Sequence, residues 1–256
     1  MIQRCSLIKP SLRSVALRWQ SHFLLLLLSL PACATLPTGT PPPTPQILVI
    51  ARPLALQGWD EKILTCAKDY PQLAVFVIEN YPGAQITPEP EVTLQLGNPS
   101  QPADNTYLLG QEDILLAANT AFPGEELSLS QLQYLISAFP ESPALPVQFW
   151  TYPSNDEARA VFEQAVLPDG SSLIRARIAP DPSAVLEVLE NDPAAFGYIP
   201  ASSLFQASAD QQSKIKVIKL KETPADFLRQ PVVASLSTSP SPLLNVYLQC
   251  LSGSGY

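Results

Sequence analysis

Residues 146–167 read PVQFWTYPSNDEARAVFEQAVL and contain a strand, a turn and a helix in direct succession. The apolar run at 147–152 is rich in β-forming residues and predicts a buried or half-buried strand, which Pro153 ends. Ser154 and Glu157 have the spacing of a capping box, so we expect Ser154 to be the N-cap of the helix that follows. Apolar residues then recur at helical spacing, at Ala158, Val161, Phe162, Ala165 and Val166.

The turn at the start of this helix is a candidate binding site for an anion. A strand that passes into a helix through a short polar turn directs free backbone N–H groups and the positive end of the helix dipole at one point. The candidate ligand-binding residues here are Ser154, Asn155, Asp156 and the cation Arg159, one turn into the helix. The same motif also caps helices that bind nothing, so the turn alone leaves both interpretations open.

Residues 1–32 predict a lipoprotein signal peptide. Their charged residues are all basic: Arg4, Lys9, Arg13 and Arg18. The apolar core that follows, FLLLLLSL at 23–30, is too short to span a membrane. The sequence Leu30-Pro31-Ala32-Cys33 resembles a bacterial lipobox, in which the cysteine is lipidated and becomes the new N-terminus. The alternative is an ordinary signal that is cleaved nearby, with Cys33 incidental.

Residues 33–45 are rich in proline and threonine and predict an extended tether between the anchor and the fold. We therefore expect an exported protein. Lipidated Cys33 would anchor it to the outer face of the bacterial cytoplasmic membrane, or to a membrane on its periplasmic side.

Removal of the signal peptide changes the charge and the available chemistry. It takes away four of the 15 Lys and Arg residues and leaves 11 of them against 23 Asp and Glu, a net charge of −12. Such a chain is not expected to bind nucleic acid. The only histidine, His22, also lies in the signal peptide, so a Ser-His-Asp site, a Cys-His site and an imidazole metal ligand are excluded. We expect a monomer that is not an enzyme and carries no cofactor or metal.

Two cysteines remain after processing. Cys66 and Cys250 each lie in a predicted helix, one near the start of the fold and one near its end. In an oxidising compartment they could form a disulfide, or they could be two buried thiols.

The remaining pattern predicts an α/β fold with mostly parallel sheets, because strands alternate with short helices. The predicted extended segments are 46–51, 73–78, 91–96, 106–119, 172–178, 195–199, 214–220 and 231–236, of which 106–119 is a strand pair or one bent strand broken at Gly110. The further predicted helices are 59–68, 129–138, 181–190 and 242–251.

This order resembles the type 2 periplasmic solute-binding proteins, in the phosphate-binding-protein-like branch of ABC transporters. Four segments carry the resemblance: ILLAAN at 114–119, LSLSQLQYLISAF at 127–139, the stretch 147–159, and NDPAAFGYIP at 191–200, which is close to the "dPgaIGY" signature of that family. The resemblance implies a two-lobe fold with two crossovers and a ligand clasped between the lobes. Lobe 1 would be 46–117 plus 231–256, and lobe 2 would be 118–230.

The resemblance also implies a function and a set of site residues. It implies an inorganic oxyanion such as phosphate as the ligand and an ABC permease as the partner. Relatives present small hydroxyl residues and an arginine after the second-lobe strand, where Ser154, Asn155, Asp156 and Arg159 stand here.

The opposite wall departs from the family pattern. Relatives have a Gly/Ser/Thr-rich turn after the first strand, whereas this chain has Arg52 and Pro53 there. Pro53 has no N–H to donate, and Arg52 is a candidate cation in place of the hydroxyl groups. A second interpretation is therefore a lipoprotein that keeps the fold but has lost its ligand and works as an interaction or assembly module.

Overall fold

The computed structural model describes residues 44–80, 87–98, 105–137, 147–168, 173, 176–224 and 226–253. The predicted signal peptide, the lipidation site Cys33 and nearly all of the predicted tether lie outside these residues. The described residues belong to one compact unit of the chain, 43–256. Within them, no helix is long and apolar enough to cross a membrane.

Eleven strands and seven α-helices are described. The strands are β1 (Gln46–Arg52), β2 (Leu73–Glu79), β3 (Val92–Leu96), β4 (Thr106–Asn119), β5 (Glu126–Ser128), β6 (Gln148–Thr151), β7 (Arg177–Ile178), β8 (Ala195–Pro200), β9 (Ile215–Val217), β10 (Lys219–Lys221) and β11 (Arg229–Leu236). The helices are α1 (Asp60–Lys68), α2 (Leu129–Ser137), α3 (Glu157–Val166), α4 (Pro182–Asn191), α5 (Ala201–Gln206), α6 (Ala209–Ser213) and α7 (Pro242–Gly253). A 3-10 helix, Leu54–Trp59, precedes α1.

Nine of the strands form one mixed sheet in the order β2-β1-β3-β11-β4-β8-β6-β7, with β9 also paired to β4. The pairs β1–β2, β1–β3, β6–β8 and β6–β7 are parallel, whereas β11 and β4 run antiparallel to their neighbours. The apolar run of β1 follows from its position between two strands, where both faces lie over the core. The predicted α/β class is confirmed.

Strand β4 joins the two halves of this sheet. Its residues 106–113 pair with β11, and its residues 114–118 pair with β8. We call β1, β2, β3 and β11 the first half, and β6, β7, β8 and β9 the second half. The predicted segment 106–119 is therefore one long strand. That the halves are two lobes, divided as 46–117 plus 231–256 and 118–230, stays a prediction.

Some short elements differ from the prediction. The segment 214–220 was expected to be one edge strand, but it divides into β9, which pairs with β4, and β10, which pairs with β5. Ile218, between them, is buried and donates its N–H to the carbonyl oxygen of Leu116. The 3-10 helix, α5 and α6 were not predicted because five or six residues are too few to show helical periodicity.

Glu112 of β4 connects the two halves through buried hydrogen bonds. Its side chain accepts from Trp59 Nε1 at 2.6 Å and from the backbone N–H of Ser202, in α5, at 2.9 Å. The 3-10 helix and α5 also touch directly, because a Cβ added to Gly58 would overlap Ser202. Burial raises the pKa of Glu112, and the two donated hydrogen bonds partly offset this rise.

Cys66 of α1 and Cys250 of α7 form a disulfide, with their Cα atoms 6.0 Å apart. The bridge joins positions 184 residues apart in the chain and ties the closing helix to the first α-helix. The sequence left a disulfide and two buried thiols as alternatives, and the structure shows the disulfide.

Opening this disulfide should lower the stability of the fold. We expect the Cys66→Ser/Cys250→Ser variant to lose about 2–5 kcal/mol of unfolding free energy in a denaturant titration, because the bridge constrains a long loop of the unfolded chain. Reduced wild type serves as the matched control and should unfold at the same denaturant concentration as the double variant. Equal stability of oxidised and reduced wild type would contradict this prediction.

Candidate functional site

A cavity of about 340 Å³ lies where strands from both halves of the sheet end. Each segment of its wall lies at the carboxyl end of a strand: β1, β2, β6 or β7. The lining residues are Pro53, Leu54, Glu79, Asn80, Pro153, Asn155, Asp156, Glu157, Pro180 and Asp181. The predicted turn after β6 is therefore part of a concave site and faces the turn after β1.

The start of α3 differs from the predicted capping box. The N-cap is Asp156, whose Oδ1 accepts the backbone N–H of Arg159 at 3.2 Å, so the prediction of Ser154 as N-cap was wrong. The reason is a turn in which the N–H of Asp156 donates to the carbonyl oxygen of Pro153 at 3.0 Å. This turn leaves Ser154 and Asn155 exposed at its tip and brings the chain into the helix two residues later.

The predicted residues of this turn have different positions. Asn155 and Asp156 line the cavity, whereas Ser154 does not. Asp156 is buried, and burial raises the pKa of its carboxyl group despite the backbone hydrogen bonds that it accepts.

Arg52 is paired inside the fold. Its Nε and Nη2 atoms lie 2.6 Å from Oδ1 and Oδ2 of Asp60, the first residue of α1. The side chain is buried and does not line the cavity. A role of Arg52 in ligand binding stays a prediction, because in this structure the bidentate pair uses two N–H groups of the planar guanidinium and holds α1 against β1.

Arg159 is also paired inside the protein. Its Nε lies 2.8 Å from Glu163 Oε1, and its Nη1 donates to the carbonyl oxygen of Tyr152 at 2.9 Å. Only 11% of its side chain is exposed, and it is not a lining residue. The structure therefore places Arg159 behind the turn, where it holds the end of β6 against α3.

The cavity wall is acidic. Glu79, Asp156, Glu157 and Asp181 line it, and no Lys or Arg is among the lining residues that the structure describes. Asp181 is the N-cap of α4 and accepts the N–H of Ala184 at 2.8 Å, much as Asp156 caps α3. Each helix N-terminus at the cavity is thus capped by its own aspartate, which accepts one backbone N–H group and whose negative charge opposes the binding of an anion there.

Glu157 reaches across to the other half of the sheet. Its Oε2 accepts the backbone N–H of Leu96, the last residue of β3, at 2.6 Å. Burial, opposed in part by this hydrogen bond, raises the pKa of Glu157 from 4.5 to about 7, and the nearby charge of Asp156 adds to the rise. The capping-box pattern predicts that the Glu157 side chain bonds to the backbone at the start of its own helix. The contact with Leu96, 61 residues away in the chain, was therefore not predicted.

A second cavity, of about 690 Å³, lies on the other side of Glu157. Its polar lining is mostly uncharged: Gln95, Asn98, Gln164 and Gln230 carry carboxamides, and Glu157 is the one charged residue among the lining residues described. Among the described residues there is also no group of three or more His, Cys, Asp and Glu side chains that could hold a metal ion.

The raised pKa of Glu157 predicts a specific pH dependence of stability. The unfolded chain loses this proton near pH 4.5 and the folded protein near pH 7, so stability should fall as the pH rises through this interval and stay level above it. Glu157→Gln removes the titrating group. We expect the variant to gain roughly 3 kcal/mol over wild type at pH 8 and little at pH 4.5, measured by urea titration across this range.

Glu163→Gln is the matched control, because Glu163 lies on the same helix but pairs with Arg159 instead of Leu96. Its stability should differ from that of wild type by a constant amount between pH 5 and 8. Parallel curves for wild type and Glu157→Gln would show that the Glu157 carboxyl group is not perturbed.

Comparison with solved structures supports the fold. A protein from Clostridium perfringens assigned as a phosphate ABC transporter substrate-binding protein, solved with bound phosphate, superposes with a TM-score of 0.62 at 11% identity, over 80% of this chain and 93% of the other. An ABC-type phosphate transport receptor from Vibrio cholerae gives 0.55 at 13% identity, over 80% and 93%. A mutant form of the OxyR2 regulatory domain from Vibrio vulnificus gives 0.60 at 13% identity, over 82% and 96%.

These neighbours establish the fold as periplasmic-binding-protein-like and go no further. Phosphate-binding proteins and regulatory domains are about equally similar, so the likeness does not separate these classes. No protein-family model matches the sequence, and a search among curated proteins finds no match.

Proposed function

We propose that this chain is a membrane-anchored, extracytoplasmic solute-binding lipoprotein of an ABC-type importer, which holds its ligand in the cavity lined by 53–54, 79–80, 153, 155–157 and 180–181. The position of this cavity carries the proposal. It lies at the carboxyl ends of parallel strands from both halves of the sheet, where open α/β sheets bind their ligands. The solved neighbours with bound phosphate and with regulatory roles have the same fold.

The disulfide supports an extracytoplasmic location. A structural disulfide such as Cys66–Cys250 persists in an oxidising compartment and is rare in the cytosol. The basic segment, the short apolar core and the lipobox-like sequence before Cys33 are the features expected of a protein that is exported and anchored.

The ligand proposed from the family resemblance is an inorganic oxyanion such as phosphate. Asn80 and Asn155 could donate hydrogen bonds to it from opposite walls of the cavity. The four carboxylates oppose this ligand, and Arg52 and Arg159 are already paired with Asp60 and Glu163. Oxyanion binding would therefore depend on neutral donors and on protonation of carboxyl groups such as that of Glu157.

The second candidate function is an interaction or assembly module that has kept the fold and lost its ligand. The internal pairing of both arginines favours it, and so does Pro53, which lines the cavity where a donor is expected.

A thermal-shift screen distinguishes these candidates. Phosphate, sulfate, molybdate and tungstate are tested at millimolar concentration, together with neutral and cationic amino acids and sugars. A solute at 100 times its dissociation constant stabilises the folded protein by about 2.7 kcal/mol, so binding gives a clear rise in melting temperature. Asn155→Leu should abolish the rise, and Asn191→Leu, outside the cavity, should retain it. No shift with any solute would favour the interaction module.

Lipidation is tested separately in bacterial cells. Metabolic labelling with a palmitate analogue should mark the wild-type protein and leave Cys33→Ala unlabelled, because only the lipobox-like cysteine is expected to accept the lipid. Cys66→Ser provides the control and should label like wild type. Equal labelling of wild type and Cys33→Ala would remove the anchor from the proposal.

A further inference from the structure

The two cavities described above share one residue. Glu157 lines both the acidic cavity of about 340 Å³ and the carboxamide-lined cavity of about 690 Å³. Its side chain extends from the first turn of α3, the helix after β6 of the second half, to the N–H of Leu96 at the end of β3 in the first half. Glu157 thus borders both cavities, and one hydrogen bond at 2.6 Å holds its carboxyl group at the end of β3.

The surroundings of Glu157 make this position costly for a charged group. Around the first cavity it faces Asp156 of its own turn, Glu79 at the end of β2 and Asp181 at the start of α4. Pro53 and Leu54, between β1 and the 3-10 helix, contribute no charge.

The described lining of the second cavity offers only carboxamides and apolar groups beside Glu157. Arg159, the nearest cation on the same helix, is bound to Glu163 and to the carbonyl oxygen of Tyr152. Among the described residues, the backbone N–H of Leu96 is thus the group that stabilises the ionised form of Glu157 from across the cleft.

We propose that Glu157 is a gate between two subsites of one cleft: the cavities form a continuous binding site only when its carboxyl group leaves the Leu96 amide. This inference rests on the proposed binding function and adds its regulation. With the hydrogen bond in place, a ligand can occupy one cavity or the other. With the bond broken, a longer ligand can extend from the acidic end of the cleft to the carboxamide end.

The gate responds to pH in one direction. In the closed arrangement burial raises the pKa of the carboxyl group from the ordinary 4.5 to about 7, and we infer that release into the open cleft removes most of this rise. Ionisation therefore favours the open arrangement. The ratio of open to closed rises as the pH increases from 4.5 to 7 and is constant above pH 7, and the full change is on the order of 10²-fold.

Hydrogen exchange of the Leu96 amide measures this opening directly and needs no ligand. In the purified protein, its protection factor, corrected for intrinsic exchange at each pH, should fall on the order of 10²-fold between pH 4.5 and 7 and then level off. In Glu157→Gln the protection factor should not change with pH. In Glu163→Gln it should follow the wild-type curve, because that variant keeps the gate.

Two further measurements, the protection of a core amide and the solute-dependent thermal shift, distinguish opening of the gate from global unfolding and from failure of the proposed binding function. Amides of the buried part of β1, such as that of Ile50, open only with global unfolding, so their protection factors should exceed that of the Leu96 amide at every pH, and equal protection at the two positions would indicate general loosening. A pH-independent Leu96 amide in wild type, or a wild-type profile in Glu157→Gln, would overturn the gate. If the gate is overturned in this way but a solute still raises the melting temperature, the proposed binding function is retained and only the gate is rejected. If the gate titrates but no solute binds, the proposed function fails instead.

Discussion

Two hydrogen bonds to the Glu112 carboxylate link β4, the 3-10 helix and α5 at the junction of the two halves of the sheet. This side chain projects from β4 close to the residue at which the strand passes from β11 to β8. Trp59 and Ser202 both donate to it in the buried interior. A buried charge of this kind requires its partners, since removal of any of them leaves an unpaired polar group that costs several kcal/mol. The 3-10 helix and α5 are thereby held together. Glu112 binds the last residue of this 3-10 helix, Trp59, and the residues at its start, Pro53 and Leu54, line the cavity.

The distribution of charge in the site follows a clear division. Each cation that the sequence suggested as a ligand contact is paired within its own half: Arg52 with Asp60, and Arg159 with Glu163. Two of the acids that line the cavity, Asp156 and Glu157, have raised pKa values because they are buried. Burial of an ionised carboxyl group is costly, and residues with a perturbed pKa that line a cavity are candidates for functional residues. Asp156 and Glu157 therefore make this cavity the candidate binding site.

The parts of the fold that depend on local pattern were predictable. The apolar strand β1 and the start of α4, with Asp181 as N-cap and Pro182 after it, follow from short-range chemistry and are confirmed. The start of α3 was misassigned because Ser154 and Asp156 are both good N-caps, and the turn at Pro153 that chooses between them is set by the end of β6. The contact between Glu157 and Leu96 could not be predicted, because nothing in a local motif reports a partner on a distant strand. The pairing of Arg52 could have been predicted, because Asp60 lies at the start of the next helix and offers a nearby carboxylate.

These pairings also explain why the fold alone does not settle the ligand. Proteins with this fold include phosphate-binding proteins and regulatory domains, and the function of each depends on what its site residues present to the cleft. In this chain both helix N-termini that could hold an anion are occupied by aspartates, Asp156 and Asp181, and the third acid, Glu157, is turned towards the opposite half. An anion would bind only if these groups were displaced or took up protons from solvent, whereas a neutral or cationic solute would meet them as hydrogen-bond acceptors. The cavity lies at the carboxyl ends of the strands, and the aspartate caps of α3 and α4 make its wall acidic.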